Sequence, residues 1–380
     1  MKQEIMSIGV NDHQVDLFEG QYPVPSGMSY NSYLIMDEKI AVLDTVDQHF
    51  GSEWLENLEK TLQGRLPDYL VIHHMEPDHS ANIFSFLEKY PTVTVVGNSK
   101  TFSMISQFFH KTPKHMLEVK EGDTLSLGSH QLTFIFAPFV HWPEVMMSYE
   151  SKEKVLFSAD AFGKFGALDV VEEWTKEARR YYFGIVGKYG LQVQNLLRKV
   201  GQYEIEQVAP LHGPILREQL PDALHHYQLW SRYEAESDGV LIAYNSVYGN
   251  TKKAVQVLKD ELEKQGCSRV VVADLAREEM TGVIASAFQY GKLVLAGPTY
   301  NGGLFPYMNT FIDGLLERNY QNRTIGIVEN GSWAPMVGKV VKEKFSKAKN
   351  LQFCNATVCL HSSMDEKNLE EIRTLASELL

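Results

Sequence analysis

Apolar and polar positions alternate in short runs through the first 160 residues, and helical spacing interrupts them. YNSYLIMD and KIAVLDTV read as adjacent strands, and DYLVIHH as the next one. TVTVVG, HQLTFIFAP and KVLFSAD continue the β pattern. SEWLENLEKTLQ and SANIFSFLEKY carry a helical period, and residues 173–206 read as largely helical with breaks at Gly187 and Gly190. Strands and helices in this loose order predict a layered sheet with helices outside it.

From Gly239 the pattern becomes regular. GVLIAYNS, SRVVVADL, KLVLAGPTY, RTIGIVENG and ATVCLHS read as strands, and a helical stretch follows each of them. Five strands alternating with five helices predict a doubly wound parallel sheet. The polar stretch YEAESD, residues 233–238, follows a helix ending near LWSRY and is the expected hinge. Two domains are therefore expected, at 1–236 and 237–380, as the length of 380 residues also suggests.

Composition narrows the class. A chain that is 44% hydrophobic and 22% charged is globular, and a net charge of −12 argues against nucleic acid or an anionic membrane as partner. The opening MKQEIMSIGVNDHQVDLFEG has no apolar targeting core, and no stretch is long enough to span a bilayer. Cys267, Cys354 and Cys359 form no C-x-x-C pair, which excludes a disulfide scaffold and a Cys-ligated iron–sulfur cluster. The expected location is a reducing cytoplasm.

The chemistry concentrates in HHMEPDH, residues 73–79, between a strand and a helix. Alternate residues of an extended segment face one way, so His74, Glu76 and Asp78 can converge while His79 closes the turn. His141 in FVHWPE, Asp160 at the end of KVLFSAD and His212 in APLHGPI also follow apolar runs or sit in tight turns. His73 faces away from His74 and is expected to support or pack rather than ligate, while His225 and His226 are expected at the surface of a helix.

H-x-E-x-D-H, followed at intervals of 61, 18 and 51 residues by His141, Asp160 and His212, resembles the flavodiiron proteins of the metallo-β-lactamase superfamily. The resemblance implies an N-terminal αββα sandwich. It also implies two irons, one held by His74, Glu76 and His141, the other by Asp78, His79 and His212, with Asp160 bridging. No catalytic residue beyond these ligands is expected. Hydrolytic relatives carry H-x-H-x-D-H, and a glutamate at position 76 replaces an imidazole by a hard anionic oxygen. Such a donor favours iron over zinc in relative terms and stabilises Fe(III) over Fe(II).

The second half supplies three loops at strand ends. Ser246, Tyr248, Gly249, Asn250 and Thr251 form a hydroxyl- and glycine-rich turn opening onto a helix, suited to a monophosphate. It is neither a Walker A loop nor G-x-G-x-x-G. Pro298, Thr299, Tyr300, Asn301 and Gly302 follow the third strand, and Asn330, Gly331, Ser332 and Trp333 the fourth. Each of these two loops offers turn backbone and an aromatic face, which a flavin ring needs. This half resembles flavodoxin, with FMN the implied cofactor.

Both resemblances together cover nearly the whole chain in the flavodiiron order, as the family's minimal two-domain form. They imply an oxidoreductase that receives electrons from an external donor through FMN and reduces O2 to water, NO to N2O, or both. The expected donor is rubredoxin or another small redox protein, with F420H2 open. The expected assembly is a head-to-tail homodimer or a dimer of dimers, bringing the FMN of one subunit to the irons of the other. The alternatives are a zinc-dependent hydrolase with a flavodoxin appendage and a non-catalytic electron-transfer or gas-sensing flavoprotein.

Overall fold

Strands of the first half sort their side chains with a period of two, and the computed structural model, which describes residues 4–380, shows where each set goes. A six-stranded sheet runs in the order Ile5–Ser7, Tyr33–Met36, Ile40–Leu43, Tyr69–Val71, Thr94–Gly97, Met116–Glu118. Tyr33, Ile35, Ala41, Leu43, Val71 and Val96 point from it into one core. There they meet Leu132, Phe134, Met146, Val155 and Phe157 from a second, five-stranded sheet. The intervening Leu34, Ile40, Val42, Leu70 and Val95 point the other way, onto Trp54, Leu58, Ile83, Phe86 and Ile105 of the covering helices. A sheet buried on both faces requires near-continuous apolar strands, which IAVL and YLV supply. The result is the helix–sheet–sheet–helix layering of a metallo-β-lactamase-like domain.

Several elements of this unit were not legible in the chain pattern. The helix Ser99–Phe109 was not among the expected elements, although Phe102, Met104, Ile105 and Phe109 give it an apolar face on this core. Asn98 starts it by accepting from Lys100 N and Thr101 N. The strand Met146–Glu150 is buried at every position, serine and glutamate included, and therefore does not alternate. Residues 173–206 resolve into helices Trp174–Tyr181 and Gly190–Val200, joined by a π-helical turn at Tyr182–Val186 and a 3-10 turn at Gly187–Tyr189.

The second unit runs from Leu229 to Leu380, the first ending at Gln228. Its sheet has the order Val270–Asp274, Ser237–Tyr244, Tyr290–Pro298, Arg323–Asn330, Leu351–Leu360, with every pair parallel. This is the flavodoxin-like order, in which the chain reverses direction beside the first strand. Asn250–Lys264, Met280–Gln289, Pro306–Glu317, Val337–Lys344 and Glu366–Glu378 are its helices. Among the described residues no helix is long and apolar enough to cross a membrane.

Candidate metal centre and flavin site

Strand ends and the turns after them carry the polar chemistry of the first unit. His74, Glu76, Asp78 and His79 follow the strand Tyr69–Val71, Asp160 follows Val155–Phe157, and His212 follows Gln207–Ala209. The fold brings all seven sequence-selected residues into two adjoining groups: His74, Glu76, His141 and Asp160, and then Asp78, His79 and His212. Asp160 belongs to both. Its Oδ2 lies 3.3 Å from His74 Nε2 and 3.0 Å from His141 Nε2, while Oδ1 lies 3.4 Å from His79 Nε2 and 3.8 Å from His212 Nε2. Glu76 Oε2 closes the first group at 3.3 Å from His74 Nε2 and 3.1 Å from His141 Nε2. Asp78 Oδ2 closes the second, 3.3 Å from the Nε2 atoms of both His79 and His212.

The donor set fits two cations. Both oxygens of Asp160 and both of Asp78 are buried without a hydrogen-bond partner, a condition native cores rarely leave unanswered. His74 donates Nδ1–H to Glu144 Oε1 at 2.8 Å, and His212 donates Nδ1–H to the Ser29 carbonyl at 2.7 Å. Each therefore turns an Nε2 lone pair inward. Burial opposes charge on His74, yet Asp160, Glu144 and Glu76 around it hold its pKa well above the ordinary value. Burial likewise opposes charge on His141, but Asp160 and Glu76 push it up to about 9. Despite its own burial, Asp160 is held well below the carboxylate range by the same imidazoles. Protons here stand where metal ions of the same charge sign would.

Three supporting residues escaped the sequence pattern. Glu144 Oε1 also accepts from Met75 N at 2.9 Å, so one carboxylate fixes both the His74 ring and the turn beside it. Tyr181 is fully buried with its ring 5.6 Å from that of His212, and its hydroxyl has no partner among the described residues. Glu19 lies at the hairpin between Leu17–Phe18 and Tyr22–Pro23; desolvation and the charge of Glu76 push it up to about 7, though much of the residue is exposed. HWPE after His141 was the available signal for Glu144; for Tyr181 and Glu19 there was none.

In the second unit a cavity of about 460 Å³ opens beside the strand C-termini. It is lined by Ser246, Tyr248, Asn250 and Thr251 from the first loop, by Pro298, Thr299, Asn301 and Gly302 from the second, and by Asn330, Gly331, Ser332 and Trp333 from the third. Ser246 Oγ accepts from Gly249 N and Lys252 N and so shapes the first turn. Gly249 precedes the helix Asn250–Lys264 at φ 91°, where a Cβ would be strained, and supplies turn geometry rather than lining. Tyr300 does not line the cavity either: paired backbone bonds with Gly303 make a tight turn, and its ring packs on Phe305 at 5.3 Å. Val247, Ala334 and Ser362 line it without having been selected from sequence. Tyr248 and Trp333 are each 93% exposed, an unusual state for large aromatics unless something planar covers them. Gly302, at φ 73° with open space around it, leaves room for such a group.

The family described as ODP family beta lactamase matches residues 28–213, and the flavodoxin domain family matches residues 241–375. The structure of rubredoxin oxygen:oxidoreductase from the anaerobe Desulfovibrio gigas is similar with a TM-score of 0.91 and 26% identity, covering 99% of this chain and 96% of that one. A nitric oxide reductase of Moorella thermoacetica is 28% identical over 353 residues, 90% of this chain and 88% of that protein. An anaerobic nitric oxide reductase flavorubredoxin of Vibrio vulnificus is 30% identical over 329 residues, and the chain spans about two thirds (66%) of its length.

Proposed function

The chain belongs to the flavodiiron proteins, and on that footing we propose that it reduces O2 to water, NO to N2O, or both, with electrons from an external donor. The observation that carries this reading is Asp160, whose two partnerless oxygens each face one pair of imidazoles. His74, Glu76 and His141 would hold one iron, Asp78, His79 and His212 the other, and Asp160 one oxygen of each coordination shell. The iron pair supplies electrons and open positions for a diatomic gas, and FMN the reservoir behind it.

What the protein's own groups do follows from their contacts. Glu144 and the Ser29 carbonyl lock the inward tautomers of His74 and His212. The Tyr181 ring packs 5.6 Å from that of His212, and its buried hydroxyl has no partner among the described residues. In the second unit the turn from Ser246 to Thr251, at a helix N-terminus, would hold the FMN phosphate through its backbone N–H groups, and Tyr248 and Trp333 would supply aromatic faces for the ring. We assign the pair of sites to a cytoplasmic head-to-tail homodimer, each FMN serving the irons of the other subunit, with rubredoxin or a similar small redox protein as donor.

The test is anaerobic stopped-flow of the fully reduced, iron- and FMN-loaded protein mixed separately with O2 and with NO. Rapid reoxidation by either gas, with four electrons consumed per O2 or one per NO, is the expected result. No reoxidation by either gas, or native protein holding zinc with hydrolytic turnover, overturns it. Activity per chain that persists unchanged on dilution to a verified monomer overturns the dimer.

A further inference from the structure

His73 neighbours the ligand turn yet takes no part in it. Its Nδ1 lies 2.6 Å from Asp44 Oδ2 and its Nε2 2.8 Å from Ser148 Oγ, with all three residues at most 1% exposed. A carboxylate only accepts, so Nδ1 carries the proton, and Nε2 accepts from the Ser148 hydroxyl. Such a serine–histidine–aspartate order resembles a nucleophile triad, but complete burial denies it any substrate.

The placement of the three residues has another use. Asp44 follows Ile40–Leu43 and His73 follows Tyr69–Val71, neighbouring strands of the six-stranded sheet. Ser148 lies on Met146–Glu150 in the facing sheet. The His73 ring therefore crosses the gap between the sheets, stacked 6.4 Å from Phe157 at 15°. Asp44 Oδ1, meanwhile, accepts from His73 N at 2.7 Å and His74 N at 3.3 Å. Asp44 sits at φ 57°, a left-handed conformation that needs support, and Ser32 Oγ donates to its carbonyl at 2.9 Å. No polar atom of Asp44, His73 or Ser148 is left buried and unpartnered.

We infer that His73 is a positioning residue: with Asp44 and Ser148 it forms a tie between the two sheets that fixes the start of the turn bearing His74, Glu76, Asp78 and His79. The tie acts through the backbone of residues 73 and 74, so it governs how firmly the site keeps its metal. This rests on the di-iron reading only for the identity of the metal.

The experiment compares full-length wild type, His73→Phe, His73→Gln and Ser148→Ala, each loaded with iron and FMN and then challenged with a ferrous chelator. Outer partners of metal ligands typically change metal affinity by about 10- to 100-fold, so His73→Phe is expected to release iron about tenfold faster than wild type. Its FMN content should remain that of wild type. Glutamine can donate to Asp44 and accept from Ser148, so His73→Gln should return release toward the wild-type rate. The mixed-valent electron paramagnetic resonance spectrum should shift in His73→Phe and return in His73→Gln. Ser148→Ala deletes one hydroxyl at the far end and should also speed release, which keeps the test open should His73→Phe misfold. Wild-type release from both His73→Phe and Ser148→Ala, or equally fast release from His73→Gln and His73→Phe, overturns the inference. If the wild type takes up no iron, the functional reading fails, and the same comparison with zinc-loaded protein still decides the role of His73.

Discussion

Nε2 of His79 stands 3.0 Å from Nε2 of His212, with both rings fully buried. Two inward nitrogens at that separation require a proton or a cation between or beside them, and the bare oxygens of Asp78 and Asp160 favour the cation. Removing metal should therefore lower the unfolding temperature of the first unit by several degrees, an expectation of order ~2–4 kcal/mol of lost binding. Scanning calorimetry with and without chelator, followed by ferrous iron addition, checks it; an unchanged transition would contradict the cation-filled reading.

Asp160→Asn should cost both groups at once, because one carboxylate faces all four imidazoles. Iron content is expected to fall below one per chain with FMN content unchanged, as measured by elemental analysis and flavin absorbance. Retention of two irons would show that Asp160 does not bridge.

Glu144→Gln keeps an acceptor oxygen but removes the charge that His74 Nδ1 and Met75 N share. Weakening of metal binding by about tenfold is expected in competition with a chelator of known affinity. Unaltered affinity would make Glu144 a packing residue.

Glu76→His exchanges the hard oxygen that faces His74 and His141 for a third nitrogen in that group. Protein expressed with both metals available should carry less iron and more zinc than wild type. Equal iron occupancy would remove the argument that the glutamate selects the metal.

How much of this could be read from the chain depended on the range of each contact. The residues of H-x-E-x-D-H, His141, Asp160 and His212 announce themselves because each is a polar side chain where an apolar run stops. The partners of those side chains do not: Glu144 reaches His74 across 70 residues and Ser29 reaches His212 across 183. Tyr181 lies in a helix otherwise dominated by charge. In the second unit the strand–helix alternation was regular because its three inner strands are largely buried and read as apolar runs, whereas Ser362 sits in a turn after the last strand with no aromatic or glycine beside it.

Trp333 faces solvent over 93% of its surface beside the cavity and should therefore report flavin binding. FMN addition to apoprotein should quench its fluorescence, and Trp333→Ala should weaken FMN binding about tenfold, ~1.4 kcal/mol. Titrations with identical affinity for both proteins would place the ring elsewhere.

His130 gives the first unit a pH dependence away from the metal ligands. Burial opposes its charge, but Glu150 Oε1 at 3.0 Å and Glu4 Oε2 at 2.9 Å raise its pKa above the ordinary value. A raised folded-state pKa adds stability that is complete below the unfolded value of about 6.5 and declines as pH rises through the folded one. The gap in unfolding temperature between wild type and His130→Asn should therefore be widest near pH ~5.5 and narrow toward pH ~8.5. A gap that widens with pH would reverse the assignment of charge.

Sharing the Asp160 carboxylate between two nitrogen pairs would make metal occupancy of the halves interdependent. The first ion to arrive would orient Asp160 and leave its second oxygen aimed at the other imidazole pair, so the next ion would meet a prepared seat. Under scarcity a population of these chains should sort into full and empty molecules, with few half-filled ones, as native mass spectrometry at substoichiometric iron would count. Cells short of iron would then keep fewer working copies rather than many impaired ones.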